Sequence, residues 1–215
     1  EISRMLAGKR VSLVELGCGS GGLLAALNPL LSDYLGLDSS FASIVLARHL
    51  CLGAPFSGEL LFPEDLLAGP VSRKLSIPRA NLAGNPQNQL TRDFVVGDVQ
   101  HPPLAGGKWQ ATAALNLIDM LEEPKRLPEL QRTLLKKGGL AIQSCPYIWR
   151  QDVAKHLRKQ LPKNKADSAS AVSWLYEKCG FEIEQAEAHV PWLFFKHVRQ
   201  LELYSTHVFA ARLKI

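Results

Sequence analysis

The 215-residue sequence predicts an α/β protein on a seven-stranded, mostly parallel sheet that closes with an antiparallel C-terminal hairpin. Three observations predict it. The apolar run Val11 to Leu16 stops at a glycine cluster (Gly17, Gly19, Gly21, Gly22) and leads into the apolar segment 23–27, so a buried strand turns through glycines into a helix. Strand-like and helix-like segments then alternate along most of the chain, the pattern of parallel β-α units. Finally, the strand candidates 181–190 and 201–213 have no helix-length segment between them, so they must run antiparallel.

The first strand and its turn set the chemistry. Glycines at a helix start leave free backbone N–H groups and let a ligand approach the main chain without a Cβ in the way. Gly17, Gly19 and Gly22 satisfy G-x-G-x-x-G, and Gly21 completes G-x-G-x-G, so the glycines alone do not say which nucleotide binds. Glu15 does discriminate. An anion two places before the turn repels a pyrophosphate but suits a ligand with an ammonium and no phosphate, such as S-adenosylmethionine (SAM).

Asn28-Pro29 stops the first helix, and 34–38 is a second short strand ending in Asp38, 21 residues after Gly17. At the end of the second strand of a Rossmann-type sheet an acid accepts hydrogen bonds from ribose hydroxyls; as a plain helix cap Asp38 has rivals in Ser39 and Ser40. Residues 40–52 read as a helix. The proline-rich stretch 53–93 is too long for a plain connection, and reads either as an insertion with one or two short elements able to fold over the ligand cleft or as a disordered loop. The strand candidate 94–99 carries Asp98, placed to accept from an adenine amine, and Val99, placed to pack on the ring. Strand 109–118 turns polar at Asn116 and Asp119, a helix is expected over 124–137, and strand 140–145 follows Gly138-Gly139. A helix over 168–179 then precedes the closing pair.

Composition bounds the rest. The length suits one domain spanning residues 1–215, and 47% hydrophobic with 21% charged residues is ordinary for a globular protein. No apolar stretch approaches the roughly 18 residues of a membrane span, and no leader pattern opens the chain at Glu1. Cys18, Cys51, Cys145 and Cys179 form no C-x-x-C pair, which argues against a disulfide framework or zinc site and makes a reducing cytoplasm the default. His189, His197 and His207 lack metal-pair spacing, so no metal is expected. The net charge of +5 concentrates at 155–165, where a solvated helix face competes with nucleic-acid binding.

As a set, Glu15 to Gly21, Asp38, Gly97-Asp98 and Asn116 resemble the SAM-binding motifs of Rossmann-like class I methyltransferases. The resemblance spans the chain apart from 53–93. It implies that Glu15, Gly17, Cys18, Gly19 and Gly21 hold the methionine part and that Asp38, with Ser39 beside it, holds the ribose. It further implies that Asp98 and Val99 hold the adenine, and that Asn116, followed by Leu117, lies beside the sulfonium. A narrower similarity, carried by 114–119, 144–149, Val190-Pro191-Trp192 and Arg199, is to the methyltransferase domain of ovothiol synthase, which methylates an imidazole nitrogen of mercaptohistidine, and to its stand-alone relatives.

Methyl transfer needs mainly alignment and exclusion of water, since the cofactor supplies the reactive methyl. Asp119 and Tyr147 are the candidate catalytic residues: Asp119 to orient a substrate N–H or ammonium, or else to cap a helix, and Tyr147 from the carboxyl edge of the sheet. Trp149, Trp192, Arg199 and Tyr204 are the candidate substrate contacts, Arg199 as a carboxylate clamp; for the aromatics core packing is the alternative. The expected partner is a small-molecule or side-chain substrate. An RNA methyltransferase, a non-catalytic partner subunit and an NAD-dependent reductase are the competing readings, the last weakened by Glu15 and the closing hairpin.

Overall fold

A computed structural model describes residues 1–53, 56–65, 69–77, 91–162, 167–197 and 200–215, the segments 56–65 and 69–77 chiefly as backbone. The seven expected strands form one sheet. β1 (Val11–Leu16), β2 (Leu31–Asp38), β5 (Arg92–Val96), β6 (Trp109–Leu115) and β7 (Leu135–Cys145) are parallel to their neighbours in the order β5-β2-β1-β6-β7. β9 (Gln200–Leu213) adds antiparallel to β7, and β8 (Phe181–His197) pairs antiparallel with β9 at the edge. The chain winds outward from β1 in both directions, so the crevice between the carboxyl ends of β1 and β6 is the switch point at which open α/β sheets bind ligands.

Period-2 alternation sorts the strand residues between two cores. Leu13, Tyr34, Phe94, Ile142 and Val208 pack with Met5 of the short α1 (Ile2–Met5), α2 (Gly22–Leu27) and α3 (Phe41–Leu52) on one face. Val14, Leu16, Leu37, Ala141 and Phe209 pack with α4 (Arg126–Leu134) and α6 (Ser168–Lys178) on the other. Two helices are capped as their first residues dictate, with Ser40 accepting from Ser43 N (3.2 Å) and Asp167 from Ser170 N (2.8 Å). On the second face the buried Tyr176 hydroxyl bonds Gln131 and Gln143 (3.2 Å to the latter), joining α4, β7 and α6.

Two elements depart from expectation, and a third segment fills in what the sequence left open. The helix expected over 124–137 is shorter: α4 ends at Leu134 because Leu135 is drawn into the sheet opposite Trp109, and Gly138 turns at φ +70° within the strand. Segment 53–93 contains a β-hairpin, β3 (Phe56–Asp65) against β4 (Gly69–Ile77), which forms a separate two-stranded sheet; residues 78–90 lie outside the described residues. The first closing strand runs longer than expected, because β8 stays paired with β9 past Pro191 as far as His197 opposite Gln200. β7 pairs with β9 only as far as Cys145 opposite His207, so the rest of the β8–β9 ribbon overhangs the carboxyl edge of the sheet. α5 (Gln151–Gln160) carries Lys155, Arg158 and Lys159 on its exposed side; Lys163 and Lys165 lie outside the described residues.

Candidate cofactor and acceptor site

The glycine turn is sewn to the ends of two neighbouring strands. Gly17 N–H and Cys18 N–H both donate to Leu37 O (2.8 and 3.0 Å), Gly21 N–H donates to Cys18 O (3.0 Å), and Gly19 N–H donates to Asp38 Oδ2 (2.9 Å). Gly97 N–H donates to Asp38 O (2.9 Å), which brings the end of β5 alongside. Gly17, Gly19 and Gly21 all have positive φ (+73°, +51° and +84°), the region only glycine enters without strain. Their surroundings differ. A Cβ on Gly21 would fall 2.7 Å from Phe94 Cζ, and one on Gly17 would fall 3.0 Å from Leu117 Cδ1. A Cβ on Gly19 would meet nothing within 4 Å. Packing against the Phe94 ring and Cys51 therefore demands glycine at Gly21, at Gly17 positive φ demands it with Leu117 close above, and Gly19 opens onto free space above the turn.

The three acids sit at different depths around this turn. Asp38 is half-buried at the rim, each carboxylate oxygen accepting one backbone N–H, from Gly19 (2.9 Å) and from Ser40 (2.8 Å), which leaves the second lone pairs for a ligand's hydroxyls. Asp98 is exposed; hydrogen bonds from His101 (2.9 Å) and from Gln100 N (2.8 Å) hold it below the usual carboxylate range, so it is ionised. Glu15 lies beneath the turn, 4% exposed, on the α2–α3 side of β1, where the Tyr34 hydroxyl donates to it. Desolvation outweighs that hydrogen bond, and with the Asp38 charge raises the Glu15 carboxyl to about 8.

The other residues expected to hold a cofactor lie as follows around this frame. Cys18 is buried, and desolvation pushes its thiol up, so it is an inert filler of the turn. Ser39 is exposed beside Asp38. Val99, at 7% exposure, packs into the core with Leu37 rather than standing open on a ring surface. Leu117 covers Gly17, and Asn116 adjoins it at the end of β6.

Asn116 is doubly held by Ser144. It adopts φ +53°, its N–H donates to Ser144 O (2.8 Å), and its Oδ1 accepts from the Ser144 hydroxyl (3.0 Å). This fixes the amide so that its NH2 group is the free end. Asn116 borders a cavity of about 410 Å³, lined also by Leu23 and Ala26 of α2, by Leu115, and by Trp192 of the overhanging ribbon. A cavity of that size suits a small organic molecule.

The remaining candidates lie in two groups. Trp192 and Tyr204 stack on the ribbon (ring centroids 4.9 Å), with the Tyr204 hydroxyl donating to Glu202. Asp119, Tyr147 and Trp149 sit on the opposite, α4–α6 side. Asp119 is 4% exposed and accepts from Ile148 N (2.7 Å), so it braces the loop after β7. Tyr147, at φ +60°, stacks on Trp149, and its hydroxyl shares a hydrogen bond with His207 Nδ1 (2.7 Å); burial keeps His207 below its ordinary value and therefore neutral. The Trp149 indole donates to Ser168 (2.9 Å) at the start of α6. Arg199 lies outside the described residues. Thus the glycines, Asp38 and Ser39 are bonded or adjacent at the ends of β1 and β2, with Glu15 beneath them, Leu117 over Gly17 and Asp98 past the end of β5; Asn116 and Trp192 border one cavity, and Asp119, Tyr147 and Trp149 form a separate brace. Ser144 and His207 were missed as site residues; Ser144 lies two residues before Pro146, a weak signal that a strand end is near. Among the described residues no cluster of three or more His, Cys, Asp or Glu side chains is placed to hold a metal ion.

No protein-family profile and no curated protein matches the chain in sequence. Solved structures do match it. A SAM-dependent methyltransferase from Methanosarcina mazei is similar over 100% of this chain and 97% of its own, with a TM-score of 0.60 at 14% identity. Magnesium protoporphyrin IX methyltransferase from Synechocystis PCC 6803, solved with bound SAM, is similar over 99% of this chain and 76% of its own (TM-score 0.55, 16% identity). A methyltransferase solved in complex with the Haloferax volcanii Trm112 activator is similar over 100% of this chain and 89% of its own (TM-score 0.61, 15% identity). The chain therefore has the Rossmann-like class I fold of SAM-dependent methyltransferases, its seven-stranded sheet closing in the antiparallel pair. At these identities the likeness is one of fold.

Proposed function

We propose that the protein is a SAM-dependent methyltransferase acting on a small-molecule or side-chain nucleophile, with an imidazole nitrogen as the first acceptor to test. One observation carries the reading: the ends of β1, β2 and β5 are tied together through Asp38 and Leu37, around a glycine whose missing Cβ faces open space. That is a cradle for a nucleoside with its ribose at Asp38, and the residues present fit SAM. The Gly17–Gly21 backbone and Glu15 would hold the methionine part, Asp98 the adenine amine, and Asn116 the region of the reacting centre. When bound, SAM supplies the electrophilic methyl group; the chain supplies alignment and dryness.

Each residue's contribution follows from its setting. Asp38 presents free lone pairs from a carboxylate already locked by two N–H groups, so it reorganises little on binding. Glu15 is protonated near neutrality and is converted to a carboxylate by an approaching ammonium, so that cofactor binding and proton release are linked. Asp119 and Tyr147 act as positioning residues that hold the loop after β7 against β9. A neutral imidazole already presents its lone pair near pH 7 and needs no strong base.

Calorimetric titration with S-adenosylhomocysteine (SAH), SAM and NAD, followed by transfer of labelled methyl to 4-methylimidazole, histidine, mercaptohistidine, histidine dipeptides, tRNA and bulk protein, tests the proposal. Binding of SAM and SAH but not NAD, with label on an imidazole acceptor, is the expected result. NAD binding without SAM binding overturns it, and label on tRNA alone moves the acceptor to nucleic acid.

A further inference from the structure

The cavity beside Asn116 has a chemistry of its own. Its walls are the apolar side of α2, the end of β6, and the start of the β8–β9 overhang, chiefly Leu23, Ala26, Leu115, Val190 and Trp192. Leu117 links it to the cofactor turn, because that side chain lies over Gly17 while the next residue back, Asn116, faces the cavity. Among the described residues no lining side chain is a lysine, arginine or histidine, and the one charged side chain, Glu1, is paired with Arg4. A carboxylate or phosphate placed there would meet that acid and give up hydration with no described lining side chain of opposite charge to replace it.

The polar atoms are equally selective. The Ser144 hydroxyl proton is spent on Asn116 Oδ1 (3.0 Å) and the Thr206 hydroxyl proton on Val190 O (2.9 Å). What remains for a ligand is mainly donor groups, the NH2 of Asn116 with the Ser3 hydroxyl and the Trp192 indole N–H also on the lining, and donors ask for an accepting heteroatom. Trp192, held by its stack on Tyr204 and half-buried, offers a ring surface.

We infer that this cavity is the methyl-acceptor chamber and that it takes an uncharged heteroaromatic molecule, not a free amino acid or a phosphate-bearing nucleotide. The inference rests on the SAM reading of the adjoining turn and narrows its acceptor: an imidazole ring fits, a zwitterionic histidine does not. Asn116 grips a ring heteroatom, Ser144 fixes the amide that does so, and the wall of α2 sets the ring's size.

Ligand-observed NMR at pH 8, with and without saturating SAH, tests it against 4-methylimidazole, indole and quinoline on one side and histidine and AMP on the other. The neutral rings should give saturation transfer and the charged molecules should not. Ala26→Trp, which fills the cavity from the exposed side of α2, and Trp192→Ala, which removes a wall, should each weaken ring binding at least about tenfold, or 1.4 kcal/mol, with SAH affinity unchanged. Binding of histidine or AMP with the rings silent, or ring binding indifferent to both variants, overturns the inference. If SAH itself fails to bind, the cofactor reading falls, and the SAH-free arm still decides what the chamber takes.

Discussion

Replacing Glu15 by Gln removes an ionisable group from beneath the turn while keeping an oxygen for the Tyr34 hydroxyl, so it isolates the consequence of burying an acid. The carboxyl group rises from its ordinary 4.5 to about 8 in the folded protein. Below pH 4.5 both folded and unfolded chains are protonated there, and the group weakens nothing. Between 4.5 and 8 the unfolded chain has lost its proton and the folded one keeps it, so stability falls by about 1.4 kcal/mol per pH unit and levels off above 8. The full span is at most about 5 kcal/mol. The Glu15→Gln variant should therefore match the wild type at pH 4.5 and exceed it by 2 kcal/mol or more, as an order of magnitude, at pH 8.5, read from urea unfolding. Titration with SAM at pH 6.8 in buffers of different ionisation enthalpy should show release of nearly one proton from the wild type and much less from the variant. A stability difference that does not change with pH, or equal proton release, would refute the reasoning.

Other substitutions separate the turn's packing from its ligand face. Gly21→Ala forces a Cβ against Phe94 in a positive-φ position and should cost about 2–4 kcal/mol by chemical denaturation, whereas Gly19→Ala should cost about 1–2 kcal/mol yet reduce SAM affinity at least tenfold by calorimetry. Asp38→Asn weakens the bonds to Gly19 and Ser40 and should lower stability by about 1–2 kcal/mol and SAM affinity at least tenfold, with NAD still not bound. Ser144→Ala releases the Asn116 amide: its side-chain NH2 resonances should broaden or double in nitrogen-edited NMR, SAM affinity should be unchanged, and Ser144→Thr should restore the single pair.

Local chemistry made much of this legible in the sequence. The turn at Gly17 to Gly21 announces itself because positive φ and close approach both demand glycine, and the closing hairpin because no crossover segment separates its strands. Asp38 could be placed at a strand end by spacing, but its bond to Gly19 N–H, 19 residues back, depends on how β1 and β2 lie side by side. Tertiary pairing hid the rest. Leu135 leaves its helix because Trp109 takes it into the sheet, and Asp119, an apparently available acid, is spent on Ile148 N–H. Val99, expected against the adenine, lies past the end of β5 at Val96 and is packed into the core cluster on that face, a burial that no spacing rule gives. The Ser144–Asn116 bond joins two strands 28 residues apart, which no short motif records.

The central claim is that the rim of β1, β2 and β5 grips a sulfonium-bearing adenosyl ligand, and isothermal titration of the wild-type chain and its Asp38→Asn variant with SAM tests it most directly. One site per chain in the wild type, at least tenfold weaker in the variant, is predicted. No heat of SAM binding in a folded wild-type protein, or equal affinity in the two, would contradict it.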